Sequence, residues 1–304
     1  MKVGVYNRWL HTFGGGERHS CMAAAVLAEE HEVELISHRG LDKAELGRRL
    51  NVDLDRVGLR VVPAMPANRF REFTREYDLF VNASFMTGQP AAAERRMMLV
   101  LFPSPMDKSL GGRLRRWVGQ GIIRELLLPE YIDGFYDVQE LGEGWFRYST
   151  ADATVRLRNP RRGRDVQVEV MLGNFRPAEL GAVEAAAMVE GETVGRVTLE
   201  PEKGTYRWWL VDVPARLTGG RLLDLTIKAP TYNPQTDRGE DDNREIAVAV
   251  TDVAVLHPRH GLYKLLFRKL FRGLGLRLEG VTEYASLDYL DSYDLICPIS
   301  EFSR

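Results

Sequence analysis

Cysteine is scarce in this sequence: Cys21 and Cys297 are the only two, and they form neither a CxxC pair nor a Cys/His cluster at zinc spacing. One disulfide is the most that the chain can form, and its composition is more typical of a reducing cytosol. No apolar run approaches the roughly 18–20 residues that cross a bilayer as a helix. The first six residues, MKVGVY, also lack the features of a signal peptide. We therefore expect a cytoplasmic protein.

An excess of charge of one sign is also missing. Lys and Arg total 41 against 43 Asp and Glu, which leaves a net charge of −2. A protein dedicated to nucleic acid usually carries a strongly basic surface, so we expect no nucleic-acid partner. Apolar residues make up 44% of the 304 positions. That share is typical of a globular chain, and the length is enough for two domains of roughly 150 residues each.

Residues 1–133 alternate short apolar strands with helical segments. Helical composition is strongest over residues 17–30, directly after the glycines at 14–16, which we interpret as a turn. The predicted strands are Lys2–Tyr6, His31–Ser37, Leu79–Asn82 and Met98–Phe102. Strands separated by helices are typical of a parallel sheet, so the sequence predicts a Rossmann-like α/β domain here.

The pattern changes to alternation between residues 134 and 256. Apolar residues occupy every second position of several short runs, and Gly, Pro, Asn and Asp cluster between the runs as turns. The alternating sets are Val166, Val168, Val170 and Leu172; Leu223, Leu225 and Ile227; and Ile246, Val248 and Val250. This pattern favours an antiparallel β-sandwich, although an alanine-rich patch at 182–188 leaves a helix open there.

Helical composition returns after Pro258, and Tyr293–Ile299 is typical of another buried strand. The sequence therefore predicts a discontinuous Rossmann-like α/β domain, residues 1–133 and 257–304, interrupted by an inserted all-β sandwich, residues 134–256. The last five residues, SEFSR, begin like a helix with Ser300 at its N-cap. We expect a further domain after them.

The loop after the first predicted strand is the most specific chemical signal. Glycines at 14, 15 and 16 let the backbone approach a ligand closely, because no Cβ intervenes. The N-terminus of the helix that follows favours phosphate, and Arg18 could add a charge-assisted bond. The spacing is not G-x-G-x-x-G, which disfavours a nicotinamide oxidoreductase. The alternative is a plain turn between strand and helix with no ligand.

Five segments share a pattern with a known family. They are FGGGER at 13–18, HEVELI at 31–36, YDLFVNAS at 77–84, LFP at 101–103 and YDLICPISEFSR at 293–304. Together they resemble the N-terminal half of family-4-like glycosyltransferases of the GT-B fold. The resemblance implies a site for the donor diphosphate and the acceptor at Gly14, Gly15, Gly16, Glu17, Arg18, Ser84, Phe102, Pro103, Ser300 and Glu301. Many members place a histidine where this chain has Leu101.

That resemblance implies an acceptor-side half of a nucleotide-sugar-dependent glycosyltransferase. The donor-binding C-terminal domain is absent from these 304 residues. The substrates would be a nucleotide-sugar and a glycan or lipid-linked acceptor, and no cofactor or metal is evident. No catalytic residue can be assigned; His11, just ahead of the glycines, is the nearest polar candidate, and the alternative is a surface histidine.

The predicted sandwich has its own resemblance. The segments GFY at 134–136, WFRY at 145–148, GNFRP at 173–177 and DNREIAV at 242–248 are similar to jelly-roll-like modules found in some glycosyltransferases. Trp145, Trp208 and Trp209 are candidates for stacking on sugar rings, or they are core aromatics. The acidic run Glu240, Asp241 and Asp242 is either a calcium site or a solvated turn. The alternative function is thus a non-catalytic carbohydrate-binding or scaffold protein in which the sandwich binds sugar.

Basic and apolar residues are interleaved in residues 261–275. This stretch contains no Asp or Glu, and its pattern is that of an amphipathic helix. Such a helix can lie on an anionic membrane surface, which would suit a lipid-linked acceptor. The alternative is a helix packed on the sheet with a solvated basic face.

Overall fold

A computed structural model describes residues 1–84, 88–100, 129–141, 144–256 and 288–298 of the chain. The chain divides into two compact units. One, the α/β unit, comprises Met1–Met106 and Leu287–Arg304, and the other, the β unit, comprises Asp107–Ser286. The predicted membrane-binding stretch at 261–275 lies outside the described residues, and no helix within them has the length and apolar character needed to cross a bilayer.

The described residues of the α/β unit form a six-stranded sheet in which every neighbouring pair is parallel. Its strands are β1 (Lys2–Tyr6), β2 (Glu32–Ser37), β3 (Val57–Val61), β4 (Leu79–Asn82), β5 (Arg95–Val100) and β15 (Leu295–Pro298), where β15 follows the strands of the β unit in chain order. The order across the sheet is β3-β2-β1-β4-β5-β15. This is the arrangement of a Rossmann-like sheet, in which the chain proceeds outward from β1 in one direction and from β4 in the other.

Helices cover both faces of this sheet. They are α1 (Gly15–Leu27), α2 (Lys43–Leu50) and α3 (Ala67–Phe73), and short 3₁₀ turns lie at Leu10–Thr12, Thr74–Glu76 and Asp288–Ser292. Ala24 of α1 and Leu46 of α2 pack with Val3 and Val5 on one face. Phe70 of α3 packs with aromatic and aliphatic side chains on the other face. The central strands β1 and β4 are buried after their first residue, as expected of strands covered on both faces, whereas β3 and β5 are largely intermediate or exposed.

Two features of the α/β unit differ from the sequence prediction. The glycines at 14–16 do not form a turn ahead of a helix, because α1 already begins at Gly15 with Gly14 as its N-cap. The predicted buried strand after Tyr293 is an edge strand, β15, paired only with β5 among the described strands. As a result Leu295 and Ile296 are about half exposed, at 50% and 43%.

In its described residues the β unit is an antiparallel sandwich of nine strands. They are β6 (Glu130–Phe135), β7 (Gln139–Leu141), β8 (Gly144–Arg158), β9 (Val166–Gly173), β10 (Val183–Val189), β11 (Glu192–Leu199), β12 (Arg207–Val213), β13 (Leu222–Lys228) and β14 (Ala249–Val255). A one-turn helix, α4 (Pro234–Arg238), and 3₁₀ turns at Ala178–Leu180 and Ala215–Leu217 interrupt the connections. The predicted fold class, an α/β unit with a parallel sheet and an antiparallel sandwich, is confirmed.

The long strand β8 belongs to both sheets of the sandwich. Its C-terminal half pairs with β13 and β6, and its N-terminal half pairs with β14 and β7. One sheet therefore has the order β11-β10-β13-β8, and the other continues β8-β14-β9-β12. The alternating apolar residues of β9 and β13 meet in the core between the sheets, as their period of two predicts. The third predicted set differs, because residues 246–250 are all buried and β14 begins only at Ala249. The predicted domain boundary at 133 falls inside β6, which pairs with β8.

Candidate functional site

The carboxyl edge of the parallel sheet is the first candidate site, because β1 and β4 lie side by side there and the chain leaves them in opposite directions. Ligands of open α/β sheets bind at such a switch point. The Asn7 amide nitrogen donates to the Ala83 carbonyl at 3.2 Å and to the Ser20 hydroxyl at 2.8 Å. The Ser84 hydroxyl accepts from the Arg8 amide at 3.0 Å. These bonds join the segments that follow β1 and β4. Ser84, a predicted site residue, therefore lies at this edge of the sheet.

The glycine loop lies at the N-terminus of α1. The backbone amide of Gly14 donates to the Glu17 carboxylate at 2.8 Å, and the Glu17 side chain is buried. No glycine of the loop has a positive φ; the left-handed residue is Phe13, with φ of 54°. A Cβ added to Gly15 would meet no atom within 4 Å. Conformational need therefore does not explain Gly15, and the space beside it is open.

The other predicted residues of this site are only partly brought together. Arg18 donates through Nε to the Leu50 carbonyl at 3.1 Å, so part of its guanidinium caps the C-terminus of α2. His11 lies in the 3₁₀ turn before the glycines, with its ring 6.1 Å from that of Trp9. Four predicted residues lie outside the described residues: Phe102, Pro103, Ser300 and Glu301.

The three predicted sugar-stacking tryptophans lie in different environments. Trp209 points into the core of the sandwich and is only 8% exposed, so it offers no face to a ligand. Trp208, its neighbour on β12, points outward and is 54% exposed, opposite Met171 of β9. Trp145 lies on β8 and is half-buried, and its buried indole nitrogen has no hydrogen-bond partner among the described residues. The structure does not group the three into one surface.

A cluster that the sequence reasoning missed lies at one end of the β unit. The tyrosine–arginine cluster consists of Tyr136, Tyr148, Arg176, Tyr232, Asp242 and Arg244. Its members come from segments far apart in sequence, and strand pairing brings these segments together: Ala249 of β14 lies opposite both Tyr148 of β8 and Gly173 of β9. All members except Tyr232 lie in the four segments that resemble jelly-roll-like modules, but the sequence marked only Asp242, as a calcium candidate. The register of the strands shows that these segments meet.

Arg244 is the centre of one half of the cluster. Its Nε donates to Asp242 Oδ1 at 2.9 Å and its Nη2 to Asp242 Oδ2 at 2.6 Å, a bidentate ion pair. The guanidinium carbon lies 5.2 Å from the ring centre of Tyr148 and 5.5 Å from that of Tyr136. Burial lowers the pKa of Arg244, but the bond to Asp242 outweighs it and raises that pKa. Asp242, a calcium candidate in the sequence, is instead the partner of an arginine.

The loop that carries this ion pair is held in place by Tyr136. Its hydroxyl donates to the Glu245 carbonyl and accepts from the Glu245 amide, both at 3.1 Å. Burial, together with the nearby Tyr232, raises the pKa of Tyr148 to about 12. Both Asp242 and Arg244 keep partial exposure, with side chains 28% and 19% accessible. The arrangement therefore presents fixed hydrogen-bonding groups and aromatic rings at the surface.

Arg176 forms the other half of the cluster. Its Nη2 donates to the carbonyls of Pro230 and of Ala247, the latter at 3.5 Å, and its guanidinium carbon lies 5.5 Å from the ring centre of Tyr232. Its Nε is buried and has no hydrogen-bond partner in the part of the chain that the structure describes. Burial lowers the pKa of this guanidinium. The Arg176 amide donates to Asn174 Oδ1 at 3.1 Å, which fixes the loop after β9.

The opposite end of the sandwich has a depression of about 760 Å³. Its polar lining includes Asp165, Glu192 and Asp212. Two of these carboxylates already serve the fold, since Asp165 accepts from the Ala215 amide at 2.7 Å and Asp212 accepts from Gln167 at 2.8 Å. Within the described parts of both units, no three His, Cys, Asp or Glu side chains are grouped so as to hold a metal ion.

Comparisons with known proteins give likenesses of structure only. No protein-family model matches the chain, and no curated protein sequence matches it. A family 35 carbohydrate binding module from an environmental isolate aligns at a TM-score of 0.29 and 12% identity, over 43% of this chain and 93% of that one. A family 35 module from Clostridium thermocellum gives 0.28 and 13%, over 42% and 92%. A β-1,3-glucan binding module of family 6 from Bacillus halodurans gives 0.26 and 15%, over 44% and 92%.

Proposed function

We propose that the β unit binds carbohydrate at the tyrosine–arginine cluster. The observation that carries the proposal is the partly exposed Asp242–Arg244 ion pair, held against the rings of Tyr136 and Tyr148. A sugar ring presents hydroxyl groups around its rim and C–H groups on its faces. Planar donors and acceptors suit the hydroxyls, and aromatic rings suit the C–H faces.

The rigidity of the cluster supports the same function. Tyr148 is part of a strand with a neighbour on either side, and Tyr136 bonds the loop that carries Arg244. Asn233 further fixes the loop after β13, because its side chain caps α4 and donates to the Asn243 carbonyl at 3.2 Å. Groups that are fixed before a ligand arrives lose little entropy on binding, which favours weakly attractive ligands such as sugars.

The test is the substitution Asp242→Asn, which keeps the shape of the side chain and removes its charge. We expect it to weaken binding of the best ligand from a panel of soluble glycans at least ten-fold, measured by titration calorimetry. Asp212→Asn, at the opposite end of the sandwich, is the matched control and should bind like the unaltered protein. No binding to any glycan, or equal binding by both variants, would contradict the proposal.

The second candidate function belongs to the α/β unit: the acceptor-side half of a nucleotide-sugar glycosyltransferase, as its resemblance implies. The specific observation in its favour is the open space beside Gly15 at the switch point, next to a left-handed Phe13. Non-glycine residues rarely adopt that conformation, and such strain is concentrated at functional sites. The buried Glu17 carboxylate already supplies negative charge at this helix end, so a diphosphate would rely on the amides of residues 15 and 16.

Gly15→Val tests this second function, because the new side chain would fill the open space without clashing. We expect it to weaken binding of a nucleoside diphosphate at least ten-fold and to leave the melting temperature nearly unchanged. Gly219→Val is the matched control, since Gly219 also has open space and no positive φ. Unchanged nucleotide binding by Gly15→Val would mean that the loop is a plain helix start.

A further inference from the structure

We infer that the ligand of the tyrosine–arginine cluster is an anionic sugar, and that Arg176 binds its charged group. This inference rests on the proposed carbohydrate-binding function and adds the chemical class of the ligand. Its basis is the positive charge of Arg176, which pairs with no described carboxylate.

Arg176 is the one arginine among the buried residues of the described chain, and it is only 9% exposed. In the described ranges, no carboxylate lies within ion-pair distance of its guanidinium. Its hydrogen bonds go through Nη2 to the backbone carbonyls of Pro230 and Ala247. Among the described residues, the buried Nε has no acceptor and Nη1 donates to none. Carbonyl dipoles satisfy part of a guanidinium but supply no negative charge.

Two other arginines of the described sandwich have the carboxylate partner that Arg176 lacks. Arg244 has Asp242 and Arg156 has Asp224, each in a bidentate pair. Both of those are more exposed than Arg176. A charge taken out of water is costly unless an opposite charge comes with it. The most deeply buried cation of the cluster is therefore the one that lacks a counter-ion.

No described side chain near Arg176 supplies a negative charge, so a bound ligand would have to supply it. Among the described groups, Tyr232 is the one ionisable side chain that acts on Arg176, and burial raises the pKa of that phenol, which keeps it neutral near pH 7. The charges of Arg244, Asp242 and Glu240 also act on the pKa of Tyr232. In this arrangement a sugar ring beside Tyr232 would place a charged substituent at Arg176, 5.5 Å from the Tyr232 ring centre, and its hydroxyls towards the Asp242–Arg244 pair. A carboxylate, a sulfate ester or a phosphate ester on the ring offers the oxygen pair that guanidinium binds.

The experiment compares matched acidic and neutral sugars on the whole chain. Titration with D-glucuronate against D-glucose, and with D-galacturonate against D-galactose, at constant ionic strength should give at least ten-fold tighter binding of the acid. D-glucose 6-sulfate and D-glucose 6-phosphate show which anionic group is preferred. Inorganic sulfate and phosphate complete the set and should bind more weakly than the sugars that carry those groups.

Variants then assign the preference to one side chain. Arg176→Gln should reduce the acid-to-neutral ratio to about one, whereas Arg176→Lys should retain part of it. Arg196→Gln is the control, because Arg196 is exposed and paired with Glu184. The acid-to-neutral comparison on the unaltered protein needs no variant, so the inference stays testable if Arg176→Gln fails to fold.

Each outcome distinguishes this inference from the function on which it rests. Equal binding of acidic and neutral sugars would overturn the inference and leave carbohydrate binding intact. Inorganic anions that bind as tightly as the acidic sugars would overturn it as well, since the site would then hold a free ion. Binding of neither class of sugar would overturn the inference and the proposed function together.

Discussion

The side-chain amide of Asn82 donates a hydrogen bond of 2.8 Å to the hydroxyl of Tyr293, although 211 positions separate them in the sequence. The Tyr293 hydroxyl in turn donates to the Gln89 carbonyl at 2.6 Å, and both side chains are buried. Asn82 ends β4, and Tyr293 precedes β15. The segment that returns after the β unit is thus bonded into the interior of the α/β unit.

Tyr293→Phe should destabilise the α/β unit by about 1–3 kcal/mol, because it leaves the buried Asn82 amide and Gln89 carbonyl without a partner. Tyr289→Phe is the control: that ring is half-buried, whereas Tyr293 is buried, and the Tyr289 hydroxyl makes no hydrogen bond to a described residue. Chemical denaturation of both variants measures the difference. Equal stabilities would mean that the bond between Asn82 and Tyr293 contributes nothing net.

Gly134→Ala should destabilise the β unit more than Gly163→Ala. Both glycines have a positive φ, of 74° and 64°, so each substitution carries the cost of about 1–2 kcal/mol for a left-handed alanine. At Gly134 the new Cβ would also overlap the Asp152 carbonyl oxygen and lie 2.7 Å from Ala153 Cα, whereas at Gly163 it meets nothing within 4 Å. Overpacking should add about 1–3 kcal/mol at Gly134 alone. Thermal unfolding of the two variants measures this difference. A larger loss of stability for Gly163→Ala than for Gly134→Ala would be inconsistent with the close approach of β6 to β8.

The neighbouring residues Trp208 and Trp209 should respond in opposite ways to truncation. Trp209 fills the core and its ring lies against Gly195 of β11, so Trp209→Ala should cost about 3–5 kcal/mol. Trp208→Ala should stay within about 0.5 kcal/mol, because that ring points to solvent. Urea denaturation monitored by circular dichroism compares the two. Similar losses of stability in the two variants would indicate that the side chains of β12 do not alternate between the core and the solvent.

The two thiols should differ in reactivity. Cys21 is fully buried, and burial, with a smaller contribution from Glu17, raises the pKa of its thiol to about 12. Titration of the native protein with a chromogenic disulfide reagent should detect Cys297 alone, and Cys297→Ser should lose that signal. Since the native pKa of Cys21 is raised, the stability linked to its protonated form is complete below pH 9 and decreases as the pH rises towards 12. A rapid reaction of both thiols at pH 8 would contradict this.

The local pattern of apolar and polar residues predicted much of the fold, because the apolar positions of most strands are the ones that the structure buries. The alanine-rich patch at 182–188 shows where pattern alone is ambiguous. Helix propensity favours alanine, but the structure has β10 there, with Val183, Ala185, Ala187 and Val189 buried on one face. Pairing with β11 and β13 decides the outcome, and neither partner is visible from the patch itself.

The candidate site of the β unit was not predictable in the same way. Arg176 and Arg244 are 68 positions apart, and both lie in segments that resemble jelly-roll-like modules, but that resemblance marked neither of them as a binding residue. The tryptophans attracted attention as large aromatics, yet packing places Trp209 in the core. Among the described residues no carboxylate lies within ion-pair distance of Arg176, and this depends on how the strands pair, which the sequence does not show.

The position of β15 in the sheet has a consequence for synthesis on the ribosome. About 195 residues separate the end of β5 from the start of β15, which completes the sheet beside it. At translation rates of roughly 5–20 residues per second, about 10–40 s pass between the two. During that interval the backbone of β5 offers unpaired donors and acceptors to any neighbouring nascent chain. The α/β unit thus begins first and finishes last, and its vulnerability to misassembly depends on how fast the ribosome completes the sandwich in between.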